Sequence, residues 1–132
     1  MMTIRIVLGF IVTVGALAPV SASAAPPKTK ASAAPSRPSL ADSLTGSAKD
    51  DYEAGKLLFT DGDYGGAALK FERAYAASND PRLLWNQAAA EKNLRRYARV
   101  ESLVTRYLRE EGDKLSEADR AEAMALLDAV KS

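Results

Sequence analysis

Small and large apolar residues recur between Ala54 and Ala74 at the offsets that lock two short antiparallel helices together, and this spacing constrains the fold more than any other feature of the chain. Ala54-Gly55 and Leu57-Leu58 come first, and Gly62-Asp63-Tyr64 interrupts them. Ala67, Phe71 and Ala74 then follow at three- and four-residue intervals. A second segment, from Pro81 to about Glu111, repeats much of the pattern with a period of roughly 33 to 34 residues. Units of this length are single α-hairpins, each too small to bury its apolar face alone, so they stack.

Local signals predict five helices. Ser47 and Asp50 have the spacing of a capping box for the first, and Asp61-Gly62-Asp63 stops it after Thr60. Tyr52, Leu58 and Phe59 supply its bulk. Gly55 in mid-helix costs roughly 1 kcal/mol against alanine and so marks a close crossing. The second helix runs from Asp63-Tyr64 to Ser78-Asn79. Pro81 opens the third, which carries Leu84, Trp85, Ala88, Ala89 and Leu94. After a turn at Asn93 to Arg96, the fourth sets Tyr97, Val100, Val104, Tyr107 and Leu108 on one face. Ser116 and Asp119 cap the fifth, with Ala121, Met124, Leu127 and Val130 inward and Leu126 widening the stripe. No stretch alternates long enough for a strand. About 84 residues make a small core, thinned further by alanine.

Residues 48 to about 111 resemble tetratricopeptide repeats. Gly55 falls at that family's small residue and Leu58 at its usual tyrosine. Tyr64 matches the aromatic that opens the second helix, and Ala67, Phe71 and Ala74 match its alanine, aromatic and alanine. In the second copy Trp85 lies beside the tryptophan position, Ala88 takes the small site and Tyr97 the opening aromatic. Val100, Val104 and Tyr107 replace alanine, aromatic and alanine there, and Arg95 replaces the turn glycine. The resemblance implies an all-α fold, a right-handed solenoid of antiparallel helix-turn-helix repeats (48–80 and 81–111). A capping helix at 116–130 completes a domain spanning 47–131.

The N-terminus has a different character. Arg5 is the only charge in the first 27 residues, and Ile6 to Leu17 is an uninterrupted apolar run of twelve. Pro19 and Ala22-Ser23-Ala24 complete the pattern of a secretory signal peptide, cut after Ala24. The run is shorter than the roughly 18 to 20 residues that span a bilayer, which places an uncleaved inner-membrane anchor second. Residues 25–46 hold four of the six prolines and little to bury, and are expected to form a flexible Ala/Pro/Ser/Lys linker. The chain has no cysteine, hence no disulfide framework and no lipoprotein anchor. Export without disulfides points to a bacterial periplasm or the medium.

Composition also limits the chemistry. With Arg5 removed, 17 basic side chains face 17 acidic ones, so the mature chain lacks the sustained basic field of a nucleic-acid binder. Neither histidine nor cysteine occurs, which removes the usual neutral-pH base, thiol nucleophiles and most zinc and haem ligand sets. Asp61-Gly62-Asp63 lacks the further ligands of a calcium loop. Glu110, Glu111 and Asp113 read as solvated helix ends, and Gly65-Gly66 lacks the strand and lysine of a phosphate loop. No catalytic residue, cofactor or metal is assigned. A small hydrolase or transferase is the weakest of three function classes.

Binding is the strongest. The first helix of each repeat lines the concave face in the family this chain resembles. The resemblance therefore implies a peptide site at Tyr52, Lys56 and Phe59 of the first helix and Arg82, Trp85 and Asn86 of the third, with Lys49 and Ala89 at its edges. Of the carboxylate-binding constellation known in some members, only Asn86 falls at a matching position. Residues 81–110 carry seven basic groups against three acidic, a band that could steer an acidic partner. The expectation is a non-catalytic adaptor for a protein or peptide in the cell envelope. The alternative is a structural subunit that self-assembles as a homo-oligomer or caps a larger complex.

Overall fold

The computed structural model describes residues 37–132. The signal-peptide reading, and the linker reading as far as residue 36, lie outside the described residues. The rest is all α: α1 (Leu40–Ser43), α2 (Gly46–Thr60), α3 (Tyr64–Ser78), α4 (Arg82–Asn93), α5 (Tyr97–Glu111) and α6 (Glu117–Lys131), with a 3-10 turn at Gly112–Lys114. Consecutive helices pack in pairs, α2 on α3, α3 on α4, α4 on α5 and α5 on α6, as in a helical-repeat solenoid. No strand occurs among the described residues.

The repeat is written into the backbone. Left-handed residues stand at Gly46, Asn79 and Gly112, each 33 positions after the last, and at Gly62 and Arg95, again 33 apart. Glycine takes such a φ without cost, whereas Arg95 holds φ 57° with a side chain that disfavours it. The same local hydrogen bond closes both turns, from the Asp63 N–H to the Leu58 carbonyl at 2.9 Å and from the Arg96 N–H to the Glu91 carbonyl at 3.0 Å. Asp63 caps α3 by accepting from the Gly66 N–H at 2.8 Å, and Ser116 caps α6 by accepting from that of Asp119 at 3.1 Å. Asn79 closes α3 in the left-handed conformation.

Two departures from the local reading are informative. Ser47 is not a cap: α2 starts at Gly46, with Thr45 preceding it. Helical structure already begins at Leu40, where Ser39 accepts from the Asp42 N–H. Leu44 is buried in the first core cluster and Leu40 packs against it, so residues 37–46 belong to the folded domain rather than to a linker. Four residues separate the two leucines, which puts both on one side of a short helical turn. In α6 the inward stripe is Ala123, Leu127 and Val130. Ala121 and Met124 face outward. Both stripes satisfy helical spacing, and Ala123 is small enough to let α6 close on Val100 and Val104.

The core divides into two clusters bridged by α4. Leu83 and Ala90 join Ala48, Ala67, Ala68, Phe71 and Ala74 in the first. Leu84 and Ala88 join Val100, Val104, Tyr107, Ala123 and Leu127 in the second. Thus α4 is buried on two sides, and the sequence pattern found only one of them. Its polar residue Glu91 is buried as well, with Arg99 Nε at 2.9 Å and Arg96 Nη1 at 3.4 Å from its carboxylate.

Candidate binding groove

The first helices of the successive hairpins, α2, α4 and α6, share a hollowed face. Lys56, Phe59, Thr60, Phe71, Trp85, Asn86 and Ala89 line a cavity of about 350 Å³. Trp85 and Ala89 also line a second, of about 450 Å³, with Lys92 and the α6 residues Glu122, Ala125, Leu126 and Ala129. Trp85, Asn86 and Arg82 line a third, of about 230 Å³, with Tyr107, Asp119 and Glu122. Trp85 is common to all three, so they adjoin one another around its side chain and together make up the candidate groove.

Each aromatic is held by another. The Trp85 ring lies 5.3 Å from that of Tyr107, tilted by 33°. Phe59 meets Tyr64 edge-on at 5.1 Å. Both Trp85 and Phe59 are half-buried, with one side in the core and the other towards the groove. Aromatic side chains held in this way present rigid apolar area at little entropic cost.

Of the six residues singled out from the sequence, Lys56, Phe59, Trp85 and Asn86 come together in the first cavity. Tyr52 instead packs on Phe71 at 6.2 Å between centroids, with Lys56 Nζ 4.7 Å above its ring. Lys56 also pairs with Glu53 at 2.8 Å, an exposed contact of small energetic value. Arg82 borders the third cavity but is committed elsewhere. Its Nε and Nη2 donate to Asp80 at 2.9 and 2.6 Å, and its Nη1 donates to the Pro38 carbonyl at 2.7 Å. Asn86 Nδ2 donates to the Arg82 carbonyl at 3.1 Å.

The fork between Arg82 and Asp80 has a testable acid signature. Burial pushes the Asp80 carboxyl up, but the Arg82 guanidinium and backbone N–H outweigh it and hold the group below the usual carboxylate range. Its stabilisation is complete above the pKa of the unfolded chain and is lost as pH falls through the lower folded value. Asp80→Asn should therefore cost about 1–2 kcal/mol at neutral pH and flatten the loss of stability below about pH 4. Urea melts between pH 2 and 7 that run parallel for the two chains would exclude this role.

The sequence pattern missed the α6 wall. Leu126 was visible there as a broadening of the apolar face, but Ala125, Ala129 and Glu122 carry no local signal. The cations of residues 81–110 are also distributed differently from their order in the chain. Arg99 and Arg106 line a hollow of about 370 Å³ with α3 residues Glu72, Tyr75 and Ala76, away from the groove. Arg106 donates to Glu110 and to the Tyr75 hydroxyl, at 2.6 and 2.7 Å. Glu111, read as a solvated helix end, is instead buried and accepts two hydrogen bonds from Arg37. No cluster of three or more acidic side chains among the described residues is placed to hold a metal ion. No described helix is long and apolar enough to cross a membrane.

Helices packed in sequential pairs define an all-α protein of helical-repeat architecture. No protein-family model, curated protein or solved structure matches the chain.

Proposed function

We propose that this chain is a non-catalytic adaptor of tetratricopeptide-repeat type that binds a peptide segment of a protein partner along the α2, α4 and α6 face. The observation that carries this reading is the position of Trp85, half-buried at the junction of three adjoining cavities. Apolar hollows with a few convergent polar groups are the usual form of a recognition site. A tryptophan anchored by a neighbouring ring is the usual energetic centre of such a site. Export to the bacterial periplasm or medium, with cleavage after Ala24, completes the proposal and rests on the leader pattern alone.

The test is loss of a partner without loss of fold. Protein captured from envelope extract by the wild-type chain and by Thr105→Ala, on the α5 surface, should be lost with Trp85→Ala and Ala89→Arg. Ala89→Arg places bulk in the groove without touching the packing of Trp85 on Tyr107. Capture that survives both groove variants would rule the groove out, and an unchanged melting curve for Ala89→Arg separates lost binding from lost fold. The structural-subunit alternative has an observation of its own, because Leu57, Leu69, Tyr97 and Met124 are exposed. Sedimentation at several concentrations separates it, since self-assembly through these residues predicts a mass that rises with concentration.

A further inference from the structure

The groove is electrically polarised. Lys56 borders the first cavity at its α2 side, where no carboxylate joins it, and Lys92 lies on the α4 edge of the cavity that Glu122 also lines. Two carboxylates stand on the α6 side: Glu122 lines both cavities that reach α6, and Asp119 joins it in the smaller. Arg82, which lines the smaller cavity with them, is held by Asp80 and the Pro38 carbonyl. Glu122 has no ion-pair partner among the described residues, and neither has Asp119, which accepts a hydrogen bond from the Ser116 hydroxyl at 2.7 Å.

We propose, resting on the groove reading above, that the partner presents an arginine or lysine to this α6 end and an adjacent apolar side chain to the Phe59–Trp85–Ala89 hollow. A guanidinium or ammonium placed there meets Glu122 and Asp119 through charge-assisted hydrogen bonds and the face of Trp85 through its ring quadrupole. Burial pushes the Tyr107 phenol up, and Glu111, Asp119 and Glu122 add to that, to about 12. Lys56 disfavours a second cation at the α2 side, so the peptide has one preferred direction. This chemistry is opposite to the acidic partner suggested by the basic band along the chain. Counting charges in sequence order sums over both faces, and Arg99 and Arg106 of that band lie on the α3 and α5 side.

A library of random twelve-residue peptides displayed on phage, panned against the full chain, tests the assignment. Wild-type protein should enrich sequences with a lysine or arginine a few residues from an aromatic or aliphatic residue. A synthetic peptide from that set should bind about tenfold more weakly to Glu122→Lys. Its Arg→Glu counterpart should bind Glu122→Lys more tightly than it binds wild type. Peptides that enrich on wild type, fail on Ala89→Arg and show no charge preference would overturn this inference alone. Peptides that bind Ala89→Arg as tightly as wild type, or no enrichment at all, would overturn the groove reading and this inference together.

Discussion

Phe71→Ala is expected to destabilise the domain by about 3–5 kcal/mol, the usual range for emptying a buried phenylalanine site. Each kcal/mol moves the melting temperature of a domain of this size by about 4–8 °C. Phe71 is 2% exposed and packs against the α2 backbone at Gly55. A Cβ added to Gly55 would stand 2.7 Å from the Phe71 Cε1 atom and 2.9 Å from Cδ1. Gly55→Ala should therefore destabilise by about 1–2 kcal/mol, because overpacking outweighs a helix-propensity gain of about 1 kcal/mol. The second hairpin supplies the remedy. Ala88 and Val104 stand one repeat further on and share a cluster, a larger residue on one helix matched by a smaller one on the next. Adding Phe71→Val to Gly55→Ala should cost less than the two single changes summed. Strict additivity in thermal melts would show that the residues do not touch.

Arg37→Ala has the second-largest expected effect. Arg37 Nη2 donates to Glu111 Oε1 at 2.9 Å and Nη1 to Oε2, while the Glu111 side chain is fully buried. Removing one partner of a buried pair leaves an uncompensated charge, at about 3–5 kcal/mol. Water reaches Arg37, whose side chain is 37% exposed, so the expected loss is nearer 2–3 kcal/mol. Replacing both residues by apolar ones, as in Arg37→Met with Glu111→Leu, should recover most of it. If Arg37→Ala melts with the wild type, the Arg37–Glu111 pair does not fasten residues 37–44 to the end of α5, and Leu40, Leu44 and the Pro38 carbonyl hold the segment instead.

Much of the architecture was legible from short-range signals. The helix limits of α3, α4, α5 and α6 follow from Tyr64, Pro81, Tyr97 and Ser116, each within a turn of the boundary it sets. Gly55 was readable as a close crossing because a mid-helix glycine is unfavourable without one. Leu83, Ala90 and Glu91 were not readable as buried, because α4 is covered on two sides and periodicity describes one stripe at a time. Of the candidate groove, Phe59 and Trp85 were reached through the resemblance to tetratricopeptide repeats, which puts the first helix of each hairpin on the concave face. Glu122 and Ala129 were not, since charged and small residues on a helix surface carry no mark of what lies opposite.

The chain by itself therefore determined that hairpins form, how long they are and that they repeat about every 33 residues. Those properties rest on interactions three to four positions apart along one helix. Tertiary structure alone decided that Arg37 closes on Glu111, 74 residues away, that Arg82 is spent on Asp80 and Pro38, and that α6 completes a groove around Trp85. Each of these depends on which surfaces meet when hairpins stack. Many pairings satisfy the same local periodicity, and only the packed chain selects among them.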